Sequence, residues 1–409
     1  MLKEIKELSV SRGLLVRQFL AVLVLLSLII GVSGTARAVT SWYADGKHHT
    51  VVLMQDGTVW VAGEDNSQGQ FGNGKFSEEG SEPVQVPGLA DIKAVAAGNL
   101  HSVALKKDGT VWTWGGNSSG QLGNGTMQNS NSALQVAGLK GITSIAAGGS
   151  HTVALKRDGT VWTWGDNRLG QLGSGTVSNS SAPVMVGTLA DVKSISAGGF
   201  HTIALKQDGT VWTWGYNAYG ELGSDAVSSK GSSVPVKVSE LSNVKAVSSG
   251  THHCVALKKD NSVWVWGSNF YSQLGNGTTK NGSPTPVLVS GVSGVLGIIG
   301  KANHTMALMP DNTVLAWGDN GSGRWGNGIA MNGSAVPVLM SGYNELTTIA
   351  AVADPRTLSR QERSVLAGGD IAGDHNETVA SEHSGSAGQS GGDGGGLVLL
   401  ATASVPEMF

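Results

Sequence analysis

One block recurs six times along this 409-residue chain, each copy marked by a histidine: His49, His101, His151, His201, His253 and His304. The third copy runs Ala-Gly-Gly-Ser-His-Thr-Val-Ala-Leu-Lys-Arg-Asp-Gly-Thr-Val-Trp-Thr-Trp-Gly-Asp-Asn-Arg-Leu-Gly-Gln-Leu-Gly, from Ala147 to Gly173. Successive histidines stand 52, 50, 50, 52 and 51 residues apart. A fixed period of that size means stacked or radially arranged units, because one such unit cannot bury its apolar face alone. Repetition also sorts the residues. One present in every unit serves the unit, whereas a function tied to one partner has to break the symmetry.

Each unit reads as four antiparallel strands. In the second copy Ser102–Lys106 and Thr110–Gly115 are β-prone runs joined through Lys107-Asp108-Gly109. Asp-Gly between such runs is a strong hairpin signal, because the turn needs positive φ. Asp56-Gly57, Asp158-Gly159 and Asp208-Gly209 repeat it, and Asp260-Asn261 and Asp311-Asn312 substitute Asn. A strand precedes each hairpin (Ile92–Ala97, Ile142–Ala147, Val192–Ala197), and another follows after a long loop (Pro83–Val86, Pro183–Val186, Pro337–Leu339). Val111-Trp112-Thr113-Trp114 is apolar at both phases of the alternation, so both sheet faces are expected to be covered. Such sheets repeated around an axis describe an all-β propeller, commonly of about 4–8 blades; a straight β-solenoid fits less well. A degenerate seventh unit is expected near Pro355, from about Thr347 to Asp370, since Thr348-Ile349-Ala350-Ala351 echoes Ser144-Ile145-Ala146-Ala147. Seven blades are therefore expected.

The ends differ from the repeats. Lys3, Lys6, Arg12 and Arg17 lead into the apolar run Phe19–Val32, and Ala36-Arg37-Ala38 supplies a small-x-small cleavage pattern. Residues 1–38 thus read as an export signal, and the run is shorter than the roughly 17–25 residues of a membrane-spanning helix. A secreted, periplasmic or cell-surface location is expected, with no integral span after cleavage. Removing five basic and two acidic residues takes the formal net charge from −3 to −6. No cluster of Lys and Arg offers nucleic acid a footing. The propeller is expected over residues 39–370. Residues 371–409 read as a flexible tail, with seven glycines between Ser384 and Gly396 and a possible closure strand at 397–401.

The run Ala-Gly-x-x-His-Thr-x-Ala-Leu, the Asp-Gly turn, the Trp-Gly-x-Asn step and the Gly-Gln-Leu-Gly loop resemble the regulator of chromosome condensation repeat family. The likeness extends from about Trp42 to Gly342, in register through six copies. It implies a propeller, commonly of seven blades, that acts by binding other proteins. The founding member's guanine-nucleotide exchange is implied too, but an export signal and units of uniform length argue against it here. A secreted bacterial branch, which includes a β-lactamase inhibitor, resembles the chain better in context.

Most conspicuous residues read as structural. The six histidines stand in different units, each tying a strand entry to neighbouring backbone, so no shared metal is expected. The pairs Trp112/Trp114, Trp162/Trp164, Trp212/Trp214 and Trp264/Trp266 are expected between blades. Cys254 fills a slot that holds Ser or Thr elsewhere. Asp65, Asp166 and Asp319 come from units that give them no common partner, which leaves a hydrolytic or carbohydrate-binding role secondary. Neither cofactor nor catalytic residue is expected. The breaks in symmetry fall on the loops: Phe200, Tyr216, Tyr219, Phe270 and Tyr271 in units four and five, with Arg168, His252 and Arg324 also varying. Exposed aromatics with an occasional Arg are what protein interfaces favour. These eight residues form the candidate surface for a protein partner.

Overall fold

The computed structural model describes residues 42–77, 81–279, 282–311, 313–321, 325 and 333–340. The leader, the seventh unit around Pro355 and the tail with its 397–401 strand lie outside these residues. Among the described residues, 24 strands make six four-stranded antiparallel sheets, each built from consecutive strands. Six blades are shown among the described residues, and the expected seventh lies outside them. Blade two is representative: Ile92–Ala97, His101–Lys106, Val111–Gly115 and Ser130–Gln135 pair in that order. The first strands of neighbouring blades lie against each other around the axis, and the fourth lies outermost.

The hairpin turns follow the expected chemistry with one refinement. Only the second residue of each dipeptide is left-handed: Gly57, Gly109, Gly159 and Gly209 at φ near 80°, and Asn261 at 66°. The aspartate instead caps the turn. The Asp108 carboxylate accepts from the Thr110 amide at 2.9 Å and its hydroxyl at 2.7 Å. Beyond the turn, the Ile142 amide donates to the Gly109 carbonyl, tying each hairpin to the link that enters the next blade.

The core is divided among the blade junctions. The cluster between blades one and two takes Val51, Leu53, Val59 and Val61 from one side and Ile92, Val95, Ala104 and Trp114 from the other. Equivalent clusters fill the next four junctions. Trp114, Trp164, Trp214 and Trp266 are fully buried there. Their companions Trp112, Trp162, Trp212 and Trp264 pack against the same clusters but are only half-buried, which refines the expectation for the pairs. Spacing of two puts both rings on one face, but the earlier ring sits by the turn at the sheet's end. There Lys106 lies 5.9 Å over the Trp112 ring centre, and the Thr110 hydroxyl meets the indole nitrogen at 3.3 Å. Blade six reaches blade one through the Lys301 ammonium, which bonds the Asp45 carboxylate and lies over the Tyr43 ring.

Candidate functional site

The loop before each histidine and the long loop after each Trp-Gly emerge together. Gly116 donates its amide to the Leu100 carbonyl, and Tyr216 to that of Phe200. The same face carries a belt of backbone bonds: Lys47 to Asn99, Asn99 to Gly149, Gly149 to Gly199, Gly199 to Thr251, and Thr251 to Ala302. Each bond joins one blade to the next, which makes this end of the ring a rigid platform.

Beneath the platform runs a repeated latch. Thr152 Oγ donates to the Gln121 carbonyl of the preceding blade at 2.9 Å, and the Trp164 indole donates to the same carbonyl at 2.9 Å. Because that hydroxyl spends its proton on the carbonyl, it accepts from His101 Nε2 at 3.1 Å. The His–hydroxyl contact recurs as His49–Ser102, His151–Thr202 and His253–Thr305. The histidines were expected to reach backbone directly; they reach it through a hydroxyl of the next blade. At the junction of blades four and five a thiol takes the hydroxyl's place, His201 Nε2 lying 3.1 Å from Cys254 Sγ. Burial pushes that thiol's pKa well above its ordinary value. Burial also pushes His49 and His151 down to about 4, and His101 and His253 to about 3. His201 falls well below its usual value for the same reason. These imidazoles are neutral structural donors.

The long loop of each blade lies over the outer strand of the next: Gly125 donates to the Ser181 carbonyl, and Gly175 to that of Ser233. An Asn holds the loop in shape, Asn117 accepting from the Leu122 amide and donating to the Gln128 carbonyl, both at 2.9 Å. The overlap places the loop of blade four on blade five, and there the aromatic breaks converge. Tyr219 sits 5.3 Å from the His252 ring and 5.2 Å from Phe270, edge to face in both cases. Tyr216 lies 5.9 Å from Tyr219 and 5.7 Å from His252, and Phe200 stacks on His252 at 5.9 Å. Phe270 is 63% exposed, so the cluster ends in an open aromatic face. Under it lies Glu221, fully buried, with a carboxylate oxygen 3.1 Å from His252 Nδ1. Burial, together with Tyr219 and Glu221, pushes the Tyr216 hydroxyl up to about 12.

A family model described as "RCC1-like domain" matches residues 30–356, well over half of the sequence. The chain belongs to the RCC1-like domain family. Yeast Prp20p, whose crystal structure was described with its binding to Gsp1p and histones, superposes with a TM-score of 0.66 at 23% identity, covering 74% of this chain and 77% of its own. Human WBSCR16 gives 0.66 at 25%, covering 75% and 83%. The Xenopus laevis regulator of chromosome condensation is 39% identical over 87 residues, 21% of this chain and 20% of that protein. A probable human E3 ubiquitin-protein ligase, HERC6, is 45% identical over 84 residues, 20% of this chain and 8% of its own length. The match thus spans at most a fifth of either relative.

Within this RCC1-like frame the eight candidates divide. Phe200, Tyr216, Tyr219, His252 and Phe270 form one ring cluster. Tyr271 is 39% exposed and joins none of those ring contacts. Arg168 belongs to blade three and grips Asp166, with Nε 2.8 Å from one oxygen and Nη2 3.1 Å from the other. Burial raises the pKa of Asp166, but the bonds and charge of Arg168 outweigh it and hold the carboxyl below its ordinary value. Arg324 lies outside the described residues. Glu221 went unnoticed in the repeats, although Gly-Glu-Leu-Gly at 220–223 departs from the Gly-Gln-Leu-Gly of blades two and three.

Proposed function

We propose that this RCC1-like propeller is an exported, non-enzymatic binding protein that docks a protein partner through its loop face, at the junction of blades four and five. One observation carries the reading: an asymmetric ring cluster with an open aromatic face stands on a frame whose junctions one–two, two–three, three–four and five–six are near copies of one another. Buried aromatic anchors ringed by polar loops are the anatomy of interface hot spots. The relatives lend support, since Prp20p was described with protein partners and yeast RCC1 bound to Kap60. Export rests on the basic lead, the Phe19–Val32 run and Ala36-Arg37-Ala38.

The test uses residues that the repeat already tolerates. Tyr219 and Phe270 occupy slots that hold Ser119 and Ser118 in blade two. The double variant Tyr219→Ser, Phe270→Ser should keep the wild-type melting temperature and lose capture of the partner by the mature chain at least tenfold. Undiminished capture removes the site. Guanine-nucleotide exchange needs residence beside a cytosolic GTPase, so recovery of the chain in an exported fraction with Val39 as its N-terminus would exclude it. Recovery only in the cytosol with Met1 intact would exclude export.

A further inference from the structure

We propose that the ring cluster is a receptor for a cationic side chain of the partner, an arginine before a lysine. This deepens the docking reading and rests on it. Gln70, Gln121, Gln171 and Gln273 fill the slot that Glu221 fills in blade four. In every case the side-chain oxygen caps its own loop, accepting the backbone amide two residues earlier at 2.9–3.0 Å. The second atom makes the difference. In Gln70 and Gln273 it is a buried amide nitrogen without a partner. In blade four it is a carboxylate oxygen, and His252 stands against it at 3.1 Å. A donor position has become an acceptor at one junction only among the described residues, and that junction carries the aromatic rings.

The imidazole relays this polarity outward. A carboxylate only accepts, so the proton on His252 Nδ1 lies toward Glu221, and in the neutral form of the ring Nε2 presents a lone pair. No described residue bonds that Nε2, and the side chain is 23% exposed. Around it the rings present faces of negative quadrupole. Elsewhere the chain lays its own cations over four of its rings. Lys106 lies over Trp112, Lys206 over Trp212, Lys258 over Trp264 and Lys301 over Tyr43, at 5.1–6.0 Å. None of the described lysines or arginines covers the cluster in this way. An acceptor nitrogen, open π faces and a carboxylate behind them match a planar donor cation, which stacks, donates to Nε2 and feels Glu221 without displacing it. An acidic or phosphorylated segment meets repulsion from Glu221 and finds the Nδ1 proton already used.

The experiment titrates the full chain, labelled with 3-fluorotyrosine, with a short Gly/Ser peptide carrying two arginines, followed by 19F NMR. Companion peptides carry two lysines or two glutamates. The arginine peptide should shift the Tyr216 and Tyr219 signals saturably, the lysine peptide more weakly, and the glutamate peptide not at all. Glu221→Gln restores the residue of four other blades, so it should keep the fold and its melting temperature while weakening the arginine peptide about tenfold or more. Equal affinity in Glu221→Gln, equal response to the glutamate peptide, or no response to arginine overturns the proposal. If Tyr219→Ser, Phe270→Ser abolishes partner capture while Glu221→Gln changes neither capture nor titration, docking stands and the cation reading falls. If partner capture survives the double serine variant, the docking reading itself falls.

Discussion

Lowering the pH from 7 to 5 should unfold the propeller from its blade junctions. Five latch histidines are fully buried, with pKa values of about 4 for His49 and His151, about 3 for His101 and His253, and well below the usual value for His201. In the unfolded chain each titrates near its ordinary value of about 6.5. Between pH 6.5 and about 4 the unfolded state therefore binds protons that the folded state refuses, and stability falls as pH falls. At pH 5 each of the four histidines at about 3 to 4 costs about 2 kcal/mol, together about 8 kcal/mol, and His201 adds to this in the same direction; that is comparable with the whole net stability of about 5–15 kcal/mol of a folded protein. The limiting slope is about 7 kcal/mol per pH unit. The turn aspartates do not act in this window. Hydrogen bonds from Thr or Ser lower Asp56, Asp108, Asp208, Asp260 and Asp311 from about 4, so their contribution is complete above that value and is lost only below it. Urea unfolding followed by tryptophan fluorescence at pH 7, 6, 5.5 and 5 reads the slope as proton uptake. About five protons are expected, and about four in His151→Gln, which keeps a donor toward Thr202. A midpoint that stays flat from pH 7 to 5 refutes the reasoning.

Three further perturbations probe the frame. Trp164→Ala empties the wedge between blades two and three and leaves the Gln121 carbonyl with one donor fewer; a loss of about 3–5 kcal/mol is expected in denaturant unfolding. Gly148→Ala would set a methyl group 2.1 Å from the His151 ring and 2.6 Å from the Gly198 carbonyl, so destabilisation of about 1–3 kcal/mol or more should appear in the melting curve. Lys301→Ala and Asp45→Ala should each cost about 1–3 kcal/mol, and the double variant hardly more than either, because both break the same bond between blades six and one.

The blade was legible because its rules are local and were written six times. Asp-Gly marked the turns, β-prone runs marked the strands, and the period marked stacked or radially arranged units. Even so, the fourth strand begins earlier than the proline that flagged it: Ser180–Met185 starts three residues ahead of Pro183. Ser180 pairs with Gly165 across a bulge, and its hydroxyl donates to the Ala182 carbonyl, features with no alternation to reveal them. The half-burial of Trp112 was invisible because spacing fixes the face of a sheet and not the depth along it. At the docking face, identity of residue type found the aromatics but not their grouping. Tyr271 and Tyr219 occupy the same slot of successive blades, yet only Tyr219 overlies a blade whose entry residue is His252. Glu221 was missed because one glutamate for glutamine barely disturbs a repeat, and its weight appears only when burial puts it against an imidazole.

Docking is proposed at the junction of blades four and five, where the aromatic rings and Glu221 depart from the repeat. Site-specific photocrosslinking tests it most directly, with a benzophenone amino acid placed at Tyr219 and, in separate proteins, at the equivalent Ser119 and Leu169. Adducts to the partner from position 219, with few from 119 or 169, are the predicted result. Equal yields from all three positions would contradict it.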